Sequence, residues 1–244
     1  MAEITTNITD NISLLKKCGK MERIKGESMN YAVLIVAAGR GSRMNLGYNK
    51  VFYEIEKGVT VLQKTLTPFL NDVRCKQIIV VLNKDDMGKP FKKEFGHLIR
   101  VFGGATRQES VYNGLMAIKE DYVLIHDGAR PNINPEQIDI LLETLEHEEA
   151  CILAIKAKDT LKRVEDGYII ETIDRSNIYQ AQTPQAFKTQ LIIDCHKKAA
   201  RLNTQATDDS QLIELLSDVK VKVVYGSEDN LKLTTPKDLD LIIK

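Results

Sequence analysis

The sequence predicts an α/β fold: a three-layer sandwich on a mostly parallel, Rossmann-like twisted sheet, with a protruding β-hairpin arm. Three observations predict it. A continuous apolar run at 32–38 reads as a strand buried on both faces, and short, largely apolar stretches at 77–83, 98–102, 122–126 and 150–157 read as further strands. Stretches with helical apolar spacing separate them, and strands alternating with helices favour parallel pairing. Past residue 158 the pattern changes to two polar, alternating segments around Asp166-Gly167, which is a hairpin signal.

The first run ends in Gly39-Arg40-Gly41-Ser42-Arg43. Two glycines let backbone approach a ligand, two arginines bring fixed charge, and Lys50 adds a third cation. Bare N–H groups and guanidinium donors at the carboxyl end of a buried strand suit a polyphosphate. An ordinary turn with solvated basic residues is the plainer alternative; three cations and two glycines within twelve residues favour the anion site. The Gly-Lys-Ser/Thr tripeptide of a P-loop is absent, and Met44 stands where a dinucleotide fingerprint needs its third glycine.

The remaining elements follow in order. Residues 60–71 carry Val61, Leu62, Leu66 and Leu70 at helical spacing, with Pro68 unsettling the last turn. Residues 77–83 predict the second strand, 85–95 a short helix interrupted near Pro90, and 98–102 the third strand. Gly103-Gly104-Ala105-Thr106-Arg107 then repeats the sequence of strand, paired glycines, arginine and helix, the helix covering 108–119 with Ser110 near its first turn. The strand at 122–126 ends in His126-Asp127-Gly128-Ala129-Arg130-Pro131. Open α/β sheets bind ligands at such carboxyl tips, which gives Asp127 a site role, whereas His126 reads as a hydrogen-bonded structural group. Residues 134–148 predict a helix opened by Pro135. The hairpin at 159–175 is too polar to stand alone and is expected to pack on another subunit. Residues 177–187 read as an extended segment returning to the site, and 188–202 as a helix. Residues 207–210 would cap a helix at 211–217. Residues 220–225 read as the last central strand, and Lys232 as a residue held in a short strand-like piece before a closing helix.

Bulk properties limit the partners. Lys+Arg and Asp+Glu number 34 each, so no net field attracts nucleic acid or a membrane surface. No apolar run approaches the roughly 20 residues of a membrane span. Cys18, Cys75, Cys151 and Cys195 lack metal-ligand spacing and read as reduced thiols of a cytoplasmic protein. Residues 1–28 lack a signal-peptide core and precede Met29; they are expected to be a poorly ordered extension, leaving 29–244 as the domain with its arm at about 157–181.

Taken together, Ala37-Ala38-Gly39-Arg40-Gly41-Ser42-Arg43-Met44, Asn49-Lys50, Gly103-Gly104 with Arg107 and Ser110, His126 to Pro131, Asp159 to Arg163, Gln182 to Gln185, Thr207-Asp208-Asp209 and Asn230 to Thr234 resemble the 2-C-methyl-D-erythritol 4-phosphate cytidylyltransferases of the non-mevalonate isoprenoid pathway. The resemblance runs in order from Tyr31 to the C-terminus. It implies attack of a substrate phosphate on the α-phosphorus of CTP, with pyrophosphate leaving. It implies catalytic roles for Arg43 and Lys50, and nucleotide binding by Ala37, Ala38, Gly39, Gly41, Gly104, Arg107 and Ser110. By the same resemblance, Arg175 and Lys232 hold the phosphate of the second substrate, and Thr160, Asp127 and Arg130 contact its hydroxyls. It further implies Mg2+ bound mainly through the CTP phosphates, with no protein metal site, and a homodimer in which the arm reaches the neighbouring subunit.

Departures from the family pattern are Ala105 and Thr106 where an acidic residue is common, Tyr179 for tryptophan, and Asn49 for proline. A ribitol 5-phosphate cytidylyltransferase is the nearest rival, but Ala37-Ala38-Gly39 and Gly128-Ala129 favour methylerythritol phosphate. A non-catalytic nucleotide-binding regulator is the rival from another class; retention of Arg43, Lys50, Arg175 and Lys232 argues against it.

Overall fold

The first apolar run folds as β1 (Tyr31–Val36), and Tyr31 to Ile35 are fully buried. The computed structural model describes residues 29–39, 41, 44, 46–90 and 98–242. After β1 come β2 (Glu54–Glu56), β3 (Val59–Thr60), β4 (Cys75–Leu82), β5 (Leu98–Phe102), β6 (Tyr122–Asp127) and β7 (Ala150–Lys156). The arm is β8 (Leu161–Glu165) and β9 (Tyr168–Ile173), followed by β10 (Tyr179–Lys188) and β11 (Lys222–Tyr225). The main sheet runs β11-β7-β10-β6-β1-β4-β5. Its pairs are parallel except those of β10, which is antiparallel to both β6 and β7. β2 and β3 form a small hairpin of their own.

Side chains alternate across a strand, so the sheet needs a helical layer on each face. Tyr31, Val33 and Ile35 face α1 (Val61–Leu70), α3 (Pro135–Leu145) and the short α6 (Leu239–Ile242). Leu34 faces the layer of α2 (Arg107–Leu115), α4 (Thr189–Leu202) and α5 (Asp209–Leu216). Each fully buried Leu, Ile or Val contributes about 1.5–3 kcal/mol, so these two clusters carry the fold. The helices start where their orphan amides find oxygens: Thr60 and Gln63 form a capping box on α1, and Asn134 and Gln137 another on α3. Thr106 caps α2 and Asp208 caps α5.

The expected three-layer α/β fold with its hairpin arm is what the chain forms, with local corrections. α1 runs through Pro68 to Leu70. Of the expected helix at 85–95, a 3-10 turn at Lys84–Asp86 forms, and 91–97 lie outside the described residues. The extended segment at 177–187 is a sheet strand, β10, and it accommodates Pro184 at a register shift between Ala181 and Gln185. The strand expected to be central, β11, is an edge. α5 begins two residues earlier than expected, with Asp209 inside it. Lys232 lies in no strand; its segment is tied down by the Leu233 N–H on the Ala129 carbonyl, 2.8 Å. The arm turns at Asp166 (φ 48°) and Gly167 (φ 84°), the paired left-handed residues that a tight hairpin needs.

Candidate active site

The sheet positions the site. From β1 the strand order runs outward to β4 on one side and to β6 on the other, and a crevice opens beyond the carboxyl ends of these strands. A cleft of about 620 Å³ fills it. Its floor is the β1 exit, Ala37, Ala38 and Gly39, held where the Ala37 N–H donates to Val81 O at 2.9 Å. One wall is the loop Gly103 to Thr106. Gly103 has to be glycine: a Cβ there would lie 2.5 Å from the Ala38 Cβ and 3.0 Å from the Ser110 Oγ. Gly41 has φ 63°, and a Cβ on it would meet the Lys50 side chain at 3.2 Å, so the glycine lets the two chains cross closely.

Lys50 opens a 3-10 turn, Lys50–Phe52, capped by Asn49. Its ammonium crosses the cleft to the Leu233 carbonyl, 2.5 Å away. Asn49 is buried and uses its whole carboxamide. Nδ2 donates to Ala37 O at 2.7 Å and to Asp86 Oδ2 at 2.9 Å, while Oδ1 accepts from the Val51 N–H at 3.3 Å. The residue before Lys50 is thereby tied to the end of β1.

Asp127, at the tip of β6, gathers cations. Lys232 Nζ is 2.8 Å from its Oδ2, Arg130 Nε 3.5 Å from the same oxygen, and Arg107 Nε 3.8 Å from Oδ1. Burial alone would raise this carboxyl, but Lys232, Arg107 and Arg130 together hold it far below the ordinary carboxylate range. The backbone under it is fixed by a chain of hydrogen bonds. The Asp127 N–H donates to Thr183 Oγ1 at 3.0 Å, that hydroxyl lies 2.9 Å from His126 Nδ1, and His126 Nε2 lies 3.1 Å from Arg130 O. A carbonyl can only accept, so Nε2 carries the proton and Nδ1 receives one from Thr183. Burial pushes the His126 imidazole down to about 4, as suits a neutral structural link.

Of the residues singled out from sequence, Ala37, Ala38, Gly39, Gly41, Lys50, Gly104, Arg107, Ser110, Asp127 and Lys232 line this cleft together. Ser110 is committed to its own loop: Oγ accepts from the Gly104 N–H at 3.1 Å and donates to Thr106 O at 2.8 Å. Arg130 is buried and does not line the cleft; its Nη1 donates to Asn230 O at 2.6 Å. Thr160 and Arg175 are exposed at the arm, apart from the cleft of their own chain. Arg43 lies outside the described residues.

Sequence reasoning passed over Asn83 and Lys84, which line the cleft at the end of β4; their place at a strand's carboxyl tip was the available signal. It also passed over Asn49 as a fastening residue. Among the described residues no group of three or more His, Cys, Asp or Glu side chains could hold a metal ion, and no helix is long and apolar enough to cross a membrane.

Comparison with known proteins agrees with this geometry. The family profile described as IspD, 2-C-methyl-D-erythritol 4-phosphate cytidylyltransferase, matches residues 31–242. A curated relative of that description from Bacillus licheniformis is 44% identical over 222 residues, covering 86% of this chain and 93% of the relative. The solved 4-diphosphocytidyl-2C-methyl-D-erythritol synthase of Anaerococcus prevotii superposes with a TM-score of 0.77 at 35% identity, over 87% of this chain and 94% of that one. The Francisella tularensis 2-C-methyl-D-erythritol 4-phosphate cytidylyltransferase does so with a TM-score of 0.76 at 31% identity, over 87% and 98%. Matched by the family profile over residues 31–242 and by a relative 44% identical across most of both chains, the chain belongs to the 2-C-methyl-D-erythritol 4-phosphate cytidylyltransferase family.

Proposed function

We infer that this enzyme transfers the cytidylyl group of CTP to 2-C-methyl-D-erythritol 4-phosphate, releasing pyrophosphate and forming 4-diphosphocytidyl-2-C-methyl-D-erythritol for isoprenoid precursor synthesis. The observation that carries the reading is the convergence of Lys50, Arg107 and Lys232 on one cleft floored by the glycine-rich exit of β1.

The chemistry asks little of acids and bases. A phosphate monoester is already ionised near neutral pH, so its oxygen attacks the α-phosphorus directly. One P–O bond forms, the bond from the α-phosphorus to the bridging oxygen breaks, and pyrophosphate leaves with the electron pair. The protein's task is to align the two anions and oppose the charge that builds on the α-phosphate and the leaving group. Lys50 takes that role here. Arg43, from the same loop as Gly41, joins it by family resemblance. Lys232 is poised to exchange Asp127 for the incoming phosphate, leaving Asp127 to meet the polyol hydroxyls, with Arg130 steadying it from below. Ala37, Ala38, Gly39, Gly41 and Gly104 offer backbone to the nucleotide.

Magnesium carried by the CTP phosphates would offset their charge and ease departure of pyrophosphate. In this reading phosphate oxygens and water would hold it rather than Asp127, whose carboxylate is already engaged by Lys232, Arg130 and Arg107. Thr160 and Arg175 act in this reading from the arm of a second copy, in a homodimer. Support comes from the exposed apolar side chains of Val164, Tyr168, Ile169 and Ile170, which a partner would cover. We place the enzyme in the cytoplasm, in keeping with Cys75, Cys151 and Cys195 as free, buried thiols.

Pyrophosphate release from CTP, measured with methylerythritol phosphate and ribitol 5-phosphate side by side, tests the assignment. Release should require methylerythritol phosphate; preference for ribitol 5-phosphate would transfer the enzyme to the rival activity.

A further inference from the structure

Arg107 occupies an unusual position for a cation. It is the first residue of α2, where the helix dipole favours negative charge, yet its guanidinium is held in place by two carboxylates. Nη2 lies 2.8 Å from Asp209 Oδ2, and Nε lies 3.8 Å from Asp127 Oδ1. Asp127 lines the cleft, but Asp209 does not: its side chain is 1% exposed, behind the wall, and 102 residues away in sequence. Arg107 itself lines the cleft with a side chain 30% exposed.

Asp209 is anchored more firmly than a cap requires. Gln185, buried in β10 beside β6, accepts the Asp209 and Ser210 N–H groups on Oε1 at 3.1 and 3.0 Å, and its Nε2 donates to Asp208 Oδ2 at 2.8 Å. Behind the carboxylate, His196 Nε2 is 3.7 Å from Oδ1, and the His196 ring stacks on Tyr112 of α2 at 5.9 Å. The N-cap of α5 is Asp208, so Asp209 is spared that duty. A buried ion pair is poor evidence of stabilisation, because desolvation offsets its attraction, but it fixes the direction of a guanidinium well.

We propose that Asp209 is a positioning residue of the transferase: it holds Arg107 between the Gly103-Gly104 loop and Asp127, so that the guanidinium meets the nucleotide's phosphates already oriented. This rests on the reading of the cleft as a CTP site. It places the TDD segment, which sequence suggests only as a cap, in the nucleotide machinery.

The test measures binding by calorimetry, without turnover, for CTP and for neutral cytidine. Asp209→Asn should weaken CTP about tenfold and leave cytidine affinity unchanged, since a displaced cation acts on phosphates alone. Arg107→Lys should do the same. The double variant should bind CTP no worse than the weaker single one, because the two residues act as one unit. Asp209→Glu, which keeps the buried charge but moves it by a methylene, carries the same expectation should Asp209→Asn fail to fold. Unchanged CTP affinity, equal losses for cytidine, or multiplying losses in the double variant would each overturn the role of Asp209. Failure of the unaltered protein to bind CTP would overturn the functional reading, and this inference with it.

Discussion

The cleft and the arm solve opposite problems. At the cleft, Lys232, Arg107 and Lys50 find partners within the chain: Lys232 on Asp127, Arg107 on Asp209 and Asp127, Lys50 on a carbonyl. At the arm, two strands bond chiefly to each other and present Val164 (53% exposed), Tyr168 (77%) and Ile169 (64%) outward. An isolated hairpin is marginal in water, and apolar side chains at that exposure ask for a cover. The contrast is between a region whose charges are paired within one chain and a region whose apolar side chains call for a second.

The sharpest way to test the cleft half of that contrast is Lys50→Ala. Its ammonium lies at the surface of the cleft, not inside the core, so the fold should persist while turnover falls by roughly 10²- to 10³-fold. Steady-state rates beside a melting curve decide it, and near-normal turnover would remove Lys50 from the mechanism. The arm half is tested by complementation. Lys50→Ala protein has a damaged cleft and an intact arm, while Arg175→Ala protein has the reverse. If the arm serves the neighbouring cleft, each alone is nearly inactive, yet refolding them together regains about a quarter of full activity, because half the dimers then carry one intact site of two. No recovery on mixing would return Arg175 to its own subunit.

The same contrast governs what the sequence disclosed. β1 and its loop were legible because an unbroken apolar run followed by glycines has few other uses, and the hairpin because Asp166-Gly167 is strong turn chemistry. The sheet position of β10 was hidden by Gln182-Thr183-Pro184-Gln185, polar residues and a proline in a strand between two others, tolerated at a register shift. β11 resembled a central strand although the lysines at 220 and 222 fit a half-exposed edge, as the exposure of Val223 and Tyr225 reflects. The pairing of Arg107 with Asp209 spans 102 residues and leaves no local pattern. Thr160 and Arg175 had meaning only through family resemblance, since neither lines the described cleft of its own chain.

A smaller effect separates a structural group at the site from the catalytic ones. His126 sits under Asp127, neutral, with both ring nitrogens engaged. Its folded value near 4 lies below the unfolded 6.5, so on acidification the unfolded chain binds the proton first. This contribution is intact above about pH 6.5, is lost progressively down to about pH 4 and is constant below that, amounting to on the order of 3 kcal/mol. Urea unfolding across that range should show the slope, and His126→Gln should flatten it. An unchanged slope in the variant would show that other groups carry the acid sensitivity.

The smallest expected effect concerns residues 1–28, which lie outside the described residues. The sheet has its own starting anchor without them: the Tyr31 N–H donates to Arg74 O at 3.0 Å, its hydroxyl to Asp72 at 3.0 Å, and Met29 packs against the core. The family match likewise begins at residue 31. We therefore propose that a protein starting at Met29 keeps its turnover within about twofold and its stability within about 0.5 kcal/mol, the scatter of changes away from core and caps. Kinetics and urea unfolding of that truncation measure both. If it fails to fold, the preceding segment covers apolar surface that the sheet cannot protect by itself, and the anchor at Tyr31 is not enough to start the fold.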